Sequence, residues 1–300
     1  MKDETVPSAN RALSLVKAMV SESFPRANAP NERPSLAVAH ESNLPRTLPG
    51  QISCVVCAYN EAERIGAILE AVDRHPALLE VIVVNDGSTD ATEALLADYP
   101  RIRVVSYSPN RGKTYALSRG IALARGEYLM LLDADLAGVR AADIQALANP
   151  VLEGWAQASI SLRANSLAIY RRIGLDFVSG ERVIPARLGR EAIAEMQRLP
   201  RWGGEAFINR LITRDKLSLA VVDWPGVFNI RKYHKVGRWR GMVEEITMTL
   251  DALRVLSPLG VVRQNLALLA LIRRPSERKA RTQVEMSWTR SLNKRRRTSQ

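Results

Sequence analysis

The chain is short of cysteine, histidine, aromatics and long apolar runs, and each scarcity closes off a class of chemistry. Its two cysteines, Cys54 and Cys57, have no second pair with which to build a zinc site. Their Cys-x-x-Cys spacing is not read as a redox motif, because both fall in the strand-like run Ile52–Cys57, where residues three apart face opposite sides. They are expected as buried thiols in a reducing compartment. Aromatics make up 5% of the residues and no nucleic-acid motif accompanies the basic groups, so a nucleic-acid partner is not expected. No window holds about 18 uninterrupted apolar residues. The longest candidate, 256–272, is broken by Pro258, Arg263, Gln264 and Asn265. The opening Met1-Lys-Asp-Glu-Thr5 is acidic and precedes no small-residue cleavage site, so a leader peptide is not expected and a cytoplasmic protein is. Gly112-Lys-Thr114 imitates the end of a phosphate loop, but Tyr107 stands where that motif needs a glycine.

What the chain does have is an ordinary apolar fraction of 46% in 300 residues, enough for one large domain with a full core. The net charge of +12 is unevenly spread. Residues 1–48 carry 6 basic and 5 acidic groups, 49–150 carry 9 and 13, and 151–300 carry 28 and 13. The middle is mildly acidic and the second half strongly basic, suited to an anionic substrate or an anionic membrane surface.

Residues 1–50 divide into a short amphipathic helix, Ala9–Val20, and a Pro-rich tether over 25–49. From Gln51 strands and helices alternate: strand 51–57, helix 61–72, strand 80–84, helix 90–98, strand 101–106, helix 114–124, strand 128–132. Such alternation implies right-handed βαβ units and a parallel sheet with both faces covered, an α/β fold of Rossmann-like kind. The second half is less regular, with helices at 190–196, 205–211 and 242–256 and a strand at 217–222. This divides the chain into an N-terminal short helix and Pro-rich tether over 1–50, a nucleotide-sugar-binding half 51–136, an acceptor-side half 137–272 and a basic tail 273–300.

The polar clusters all follow strands. Ala58-Tyr-Asn-Glu61 follows the first, Asn85-Asp-Gly-Ser88 the second, and Asp133-Ala-Asp135 the fourth. Ligands of such sheets bind beyond the carboxyl ends of the strands. Two carboxylates two residues apart at a strand exit suit a hard divalent cation, and the whole rim suits a metal with a nucleotide.

Four pieces, Val55-Val-Cys-Ala-Tyr-Asn-Glu61, Ile82-Val-Val-Asn-Asp-Gly-Ser-Thr-Asp90, Asn110-Arg-Gly-Lys-Thr114 and Leu131-Leu-Asp-Ala-Asp135, occur in order and each after the expected element. Over some 85 residues the chain resembles the nucleotide-sugar-binding half of a family 2 glycosyltransferase of the GT-A fold. The resemblance implies a donor site for a nucleoside diphosphate sugar. Asp135 would ligate Mg²⁺ or Mn²⁺, and Asp133 would contact the ribose or metal-bound water. Asp86 would meet the base, Ala58, Tyr59 and Glu61 would line base and ribose, and Lys113 would contact the phosphates. Family members usually carry proline where Ala58 stands.

On the acceptor side, Ser179-Gly180-Glu181-Arg182 resembles the loop that closes beside the donor sugar. Glu205 would be the general base of an inverting reaction, or orient the acceptor in a retaining one; its alternative is a first-turn carboxylate favoured by the helix dipole. His234, in the basic loop 231–240, would complete the metal shell or belong to a solvated loop. The implied partners are a UDP- or GDP-sugar, an anionic or lipid-linked acceptor, and a peripheral contact at the inner face of a membrane. The rival enzyme class, a sugar-1-phosphate nucleotidyltransferase, would carry a Gly-rich basic loop after the first strand, where this chain has Ala58-Tyr-Asn-Glu61.

Overall fold

The computed structural model describes residues 51–200, 203–229 and 258–273. The helix expected at Ala9–Val20, the tether 25–49, the loop 231–240 with His234, the helix 242–256 and the tail beyond 273 lie outside these described residues.

The first half follows the expected alternation: β1 Ile52–Ala58, α1 Ile65–Val72, β2 Leu78–Asn85, α2 Thr92–Leu96, β3 Arg103–Ser106, α3 Lys113–Leu123 and β4 Tyr128–Asp133. A two-residue strand β5, Leu136–Ala137, follows, then α4 Ala141–Leu152, β6 Ala158–Arg163, α5 Ala168–Ile173, β7 Arg182–Pro185, α6 Ala186–Met196, α7 Gly204–Arg214, β8 Leu219–Trp224, β9 Phe228–Asn229, α8 Pro258–Leu271 and β10 Ile272–Arg273. The large sheet runs in the order β10-β8-β6-β7-β4-β1-β2-β3. All its pairings are parallel except those that β7 makes with β4 and β6. A small antiparallel sheet joins β5 to β9. The acceptor-side residues therefore extend the same sheet.

Alternate strand residues feed two cores, one on each face. Cys54, Val56, Val83, Met130 and Leu132 pack with Ile65, Ile68 and Leu69 of α1 and Ile144 and Leu147 of α4. Val55, Ile82, Val84, Leu129 and Leu131 pack with α3, α6 and α7. Near-continuous apolar strands are what a sheet covered on both sides demands. Cys54 lies in the first core and Cys57 packs against the second, as strand alternation required. Helix α3 crosses β1 so closely that a Cβ on Gly120 would stand 2.3 Å from Val55 Cγ1. Only glycine fits that crossing.

Strand order reverses at β1, with β2 on one side and β4 on the other. The crevice beyond the carboxyl ends of β1 and β4 is thus the binding edge of an open α/β sheet.

Candidate active site

Ala58, Asn85 and Asp133 end β1, β2 and β4, and Arg163 ends β6 on the same edge, since β6 is antiparallel to β7 as β7 is to β4. The loops beyond these ends are tied to one another. The Asn60 amide donates to Ser88 Oγ at 3.0 Å, the Glu61 amide to Thr92 Oγ1 at 2.9 Å, and the Thr89 amide to Asn60 Oδ1 at 2.8 Å. Asn60 sits at φ 54°, a left-handed turn that asparagine tolerates. This turn delays α1 to Ile65, so the helix expected from Glu61 begins four residues later. Ala58 is buried, Tyr59 is exposed, and Glu61 pairs with Arg64 at 2.5 Å.

Asp86 is buried, and its carboxylate clamps the loop before α3. It accepts the Arg111 amide at 2.7 Å on Oδ1, and on Oδ2 the Gly112 amide at 2.8 Å and Asn110 Nδ2 at 2.9 Å. A carboxylate offers about four acceptor positions, so Asp86 is foremost a strut that sets the start of α3. That strut delivers Lys113, the first residue of the helix, into the crevice.

Lys113 is the centre of the site. Its ammonium donates to Asp133 Oδ1 and to Glu205 Oε1, each at 2.6 Å. The three side chains come from α3, β4 and α7, and Lys113 and Glu205 are 92 residues apart. Burial alone would raise the Asp133 pKa, but the Lys113 charge and hydrogen bond outweigh it and hold the carboxyl below its usual range. Burial alone would lower the Lys113 pKa, and the two carboxylates raise it instead. The lysine is therefore a charged bridge between a carboxylate at the end of β4 and one at the start of α7.

Behind Asp133 lies a buried polar web. Glu181 accepts from Ser161 Oγ at 2.8 Å, Ser179 Oγ at 2.5 Å and Arg163 Nη1 at 3.1 Å. Ser166 Oγ donates to Asp176 at 2.6 Å, and Arg163 pairs with Asp176 at 3.5 Å. Arg182 donates to Asn209 Oδ1 at 2.8 Å and to the Ser179 carbonyl. Asn209 Nδ2 donates to the Phe177 carbonyl at 2.8 Å. Glu181 and Arg182 are thus internal struts rather than groups open to an acceptor. Gly180 presses against Asp133: a Cβ there would lie 2.4 Å from its Oδ1. Sequence patterns did not point to Arg163, Asp176 or Asn209. Arg163 ends a strand in which serines interrupt the apolar residues, and only tertiary contacts reveal its partners.

The charges of this region do not balance. The cations Lys113, Arg163 and Arg182 face the carboxylates Asp133, Asp135, Asp176, Glu181 and Glu205. Carboxylates outnumber cations here, a surplus of negative charge that suits a cation. Among the described residues no group of three or more His, Cys, Asp or Glu side chains forms a complete metal cage. A hard cation held by one or two carboxylates and completed by substrate phosphates and water suits that donor set. His75, the one described histidine, is buried with Nε2 3.0 Å from the Ala141 carbonyl.

Residues 53–177 match the sequence model of Glycosyl transferase family 2. The succinoglycan biosynthesis protein ExoO of Rhizobium meliloti (strain 1021) is 42% identical over 87 residues, 28% of this chain and 25% of that protein. The dolichyl-phosphate beta-glucosyltransferase of Homo sapiens is 37% identical over 100 residues, 28% of this chain and 31% of that protein. The chain thus spans between a quarter and a third of these curated relatives. Among solved structures, glucosyl-3-phosphoglycerate synthase from Mycobacterium tuberculosis in complex with phosphoglyceric acid superposes with TM-score 0.52 and 25% identity, covering 68% of this chain and 80% of that one. The same enzyme with Mn²⁺, UDP-glucose and phosphoglyceric acid shares the fold at TM-score 0.52 and 24% identity, over the same shares of the two chains.

Proposed function

We propose that this protein, whose residues 53–177 match the family 2 glycosyltransferase model on a mostly parallel α/β sheet, transfers a hexose from a UDP- or GDP-sugar to a hydroxyl or phosphate acceptor, with a divalent cation in the donor site. One observation carries the reading: a single ammonium, Lys113, bridges Asp133 at the end of β4 and Glu205 at the start of α7. It joins the group expected to face the leaving nucleotide to the group expected to face the attacking hydroxyl.

Asp135 and Asp133 are the residues that would hold Mg²⁺ or Mn²⁺. The ion, when bound, would neutralise the departing diphosphate. Tyr59, exposed just after β1, would offer a flat face to the base, and Glu61, two residues on, would meet the ribose. Lys113 has three N–H donors, so it turns toward the diphosphate when the donor enters and loosens its hold on Glu205. Glu205 then accepts the acceptor's proton or orients its hydroxyl. The web through Glu181, Arg182 and Asn209 keeps Gly180 against Asp133 and α7 against the crevice. The basic second half and the dolichyl-phosphate named for the human relative support an anionic, lipid-linked acceptor.

The test is calorimetry of UDP, GDP and their glucose conjugates with and without Mn²⁺. One nucleotide should bind with strong metal dependence, and Asp135→Ala should weaken it by at least about tenfold, the scale of lost metal-site residues. Absence of binding by either nucleotide, or an Asp135→Ala variant that binds as wild type, overturns the reading.

A further inference from the structure

Helix α5 runs against the usual logic of a surface helix, which buries an apolar stripe and turns polar residues outward. None of its six residues is buried. Leu167 is 51% exposed, Ile169 58%, and Ile173 and Val178 40% each. Phe228, 45% exposed, sits on the strand tied to the same loop. There the Ala164 amide donates to the Val227 carbonyl and Asn165 Nδ2 to the Asn229 carbonyl, both at 2.9 Å. The charged groups of residues 164–175 are Arg171 and Arg172, both exposed in the last turn, with no carboxylate among them. The segment starts next to Arg163, whose charge environment includes Asp133 and Asp135, so it borders the crevice.

We infer that α5 and its flanks are a docking surface for an anionic lipid bilayer, placed to bring a membrane-held acceptor to the crevice; the mention of an acceptor rests on the glycosyltransferase reading. Exposed aliphatic side chains beside arginines match the boundary between acyl chains and anionic head groups. A stable protein interface uses about 20–30 residues a side, many more than this short helix presents. Among the described residues no helix is long and apolar enough to cross a membrane.

Sedimentation of the full chain with phosphatidylcholine vesicles, with and without phosphatidylglycerol, tests this. Binding should require phosphatidylglycerol and weaken at high salt. Arg171→Ala/Arg172→Ala should lose about 25-fold in partitioning, near fivefold per arginine. Leu167→Ser/Ile169→Ser should lose at least about tenfold through its apolar area. Both variants keep the basic run Lys294–Arg297, so wild-type partitioning by both assigns the attraction to that tail and overturns the inference. Equal binding to neutral vesicles overturns it, as does a patch that proves to be a self-association face, with the variants losing a dimer in light scattering. UDP binding with Mn²⁺ should be unchanged in both variants. If vesicle binding fails while UDP still binds, only the docking surface falls. If UDP binding fails in wild type, the donor-site reading falls and the vesicle result stands by itself.

Discussion

Replacing Lys113 with methionine keeps most of the side-chain length and removes the charge. In the wild type one ammonium lies 2.6 Å from both Asp133 and Glu205, and the three side chains keep only 17–20% of their surface in water. Without it, two carboxylates share a mostly dry crevice with no direct countercharge. Removing one partner of a buried ion pair costs about 3–5 kcal/mol, a large share of the ~5–15 kcal/mol that holds a typical domain. Urea unfolding at pH 7 should show a lower midpoint at unchanged slope. Adding Glu205→Gln removes one stranded charge and should recover about 1–2 kcal/mol, a coupling typical of side chains in contact. The pH dependence follows from the shifts. The folded Asp133 pKa is lowered, so its contribution is present above the usual aspartate value near ~4 and is lost as pH falls through the lower folded value. The folded Lys113 pKa is raised, so its contribution is complete below the usual lysine value near ~10 and is lost only as pH rises through the higher folded value. The contribution of the Lys113–Asp133 pair is therefore level between about pH 5 and 10. In the variant Asp133 loses the charge that holds its pKa down and takes up a proton more readily, so the gap to wild type should narrow in acid. A loss under about 1 kcal/mol, or a double variant no more stable than Lys113→Met, would refute the buried-triad reasoning.

Two further outcomes test the packing around the site. Gly180→Ala places a Cβ 2.4 and 2.6 Å from the two Asp133 carboxylate oxygens. It should displace the carboxylate from Lys113, destabilise the fold by about 1–3 kcal/mol as overpacking does, and weaken UDP–Mn²⁺ binding; calorimetry and melting both like wild type contradict the contact. Burial pushes the thiols of Cys54 and Cys57 far up. A colorimetric thiol reagent at pH 8 should therefore label buried Cys54 only as the chain unfolds and half-buried Cys57 well below the rate of a free thiol; prompt labelling of both would refute this.

The strands of the first half were legible because a sheet covered on both faces needs apolar residues on both sides of each strand, and such runs stand out. Strand β6 escaped notice because Ser159 and Ser161 occupy buried positions. They are tolerated there because Ser159 Oγ donates to the Leu147 carbonyl at 2.6 Å and Ser161 Oγ to Glu181 at 2.8 Å. Those partners belong to other elements, so no local pattern announces them. The antiparallel β7, four residues long, is as brief as a turn in sequence.

The same division runs through the site. Residue order alone placed Asp86, Lys113, Asp133 and Asp135 beyond strand ends, because strand–helix alternation sends every such loop to one edge of the sheet. Which of them touch was decided by tertiary packing. Asp86 turned out to hold the Arg111 and Gly112 amides and the Asn110 side chain, Glu181 and Arg182 turned inward, and Lys113 came to rest between Asp133 and Glu205. Periodicity reports which face of an element a side chain occupies, but the partner of a buried charge is chosen by the fold, since only a neighbour from another element can repay its lost hydration.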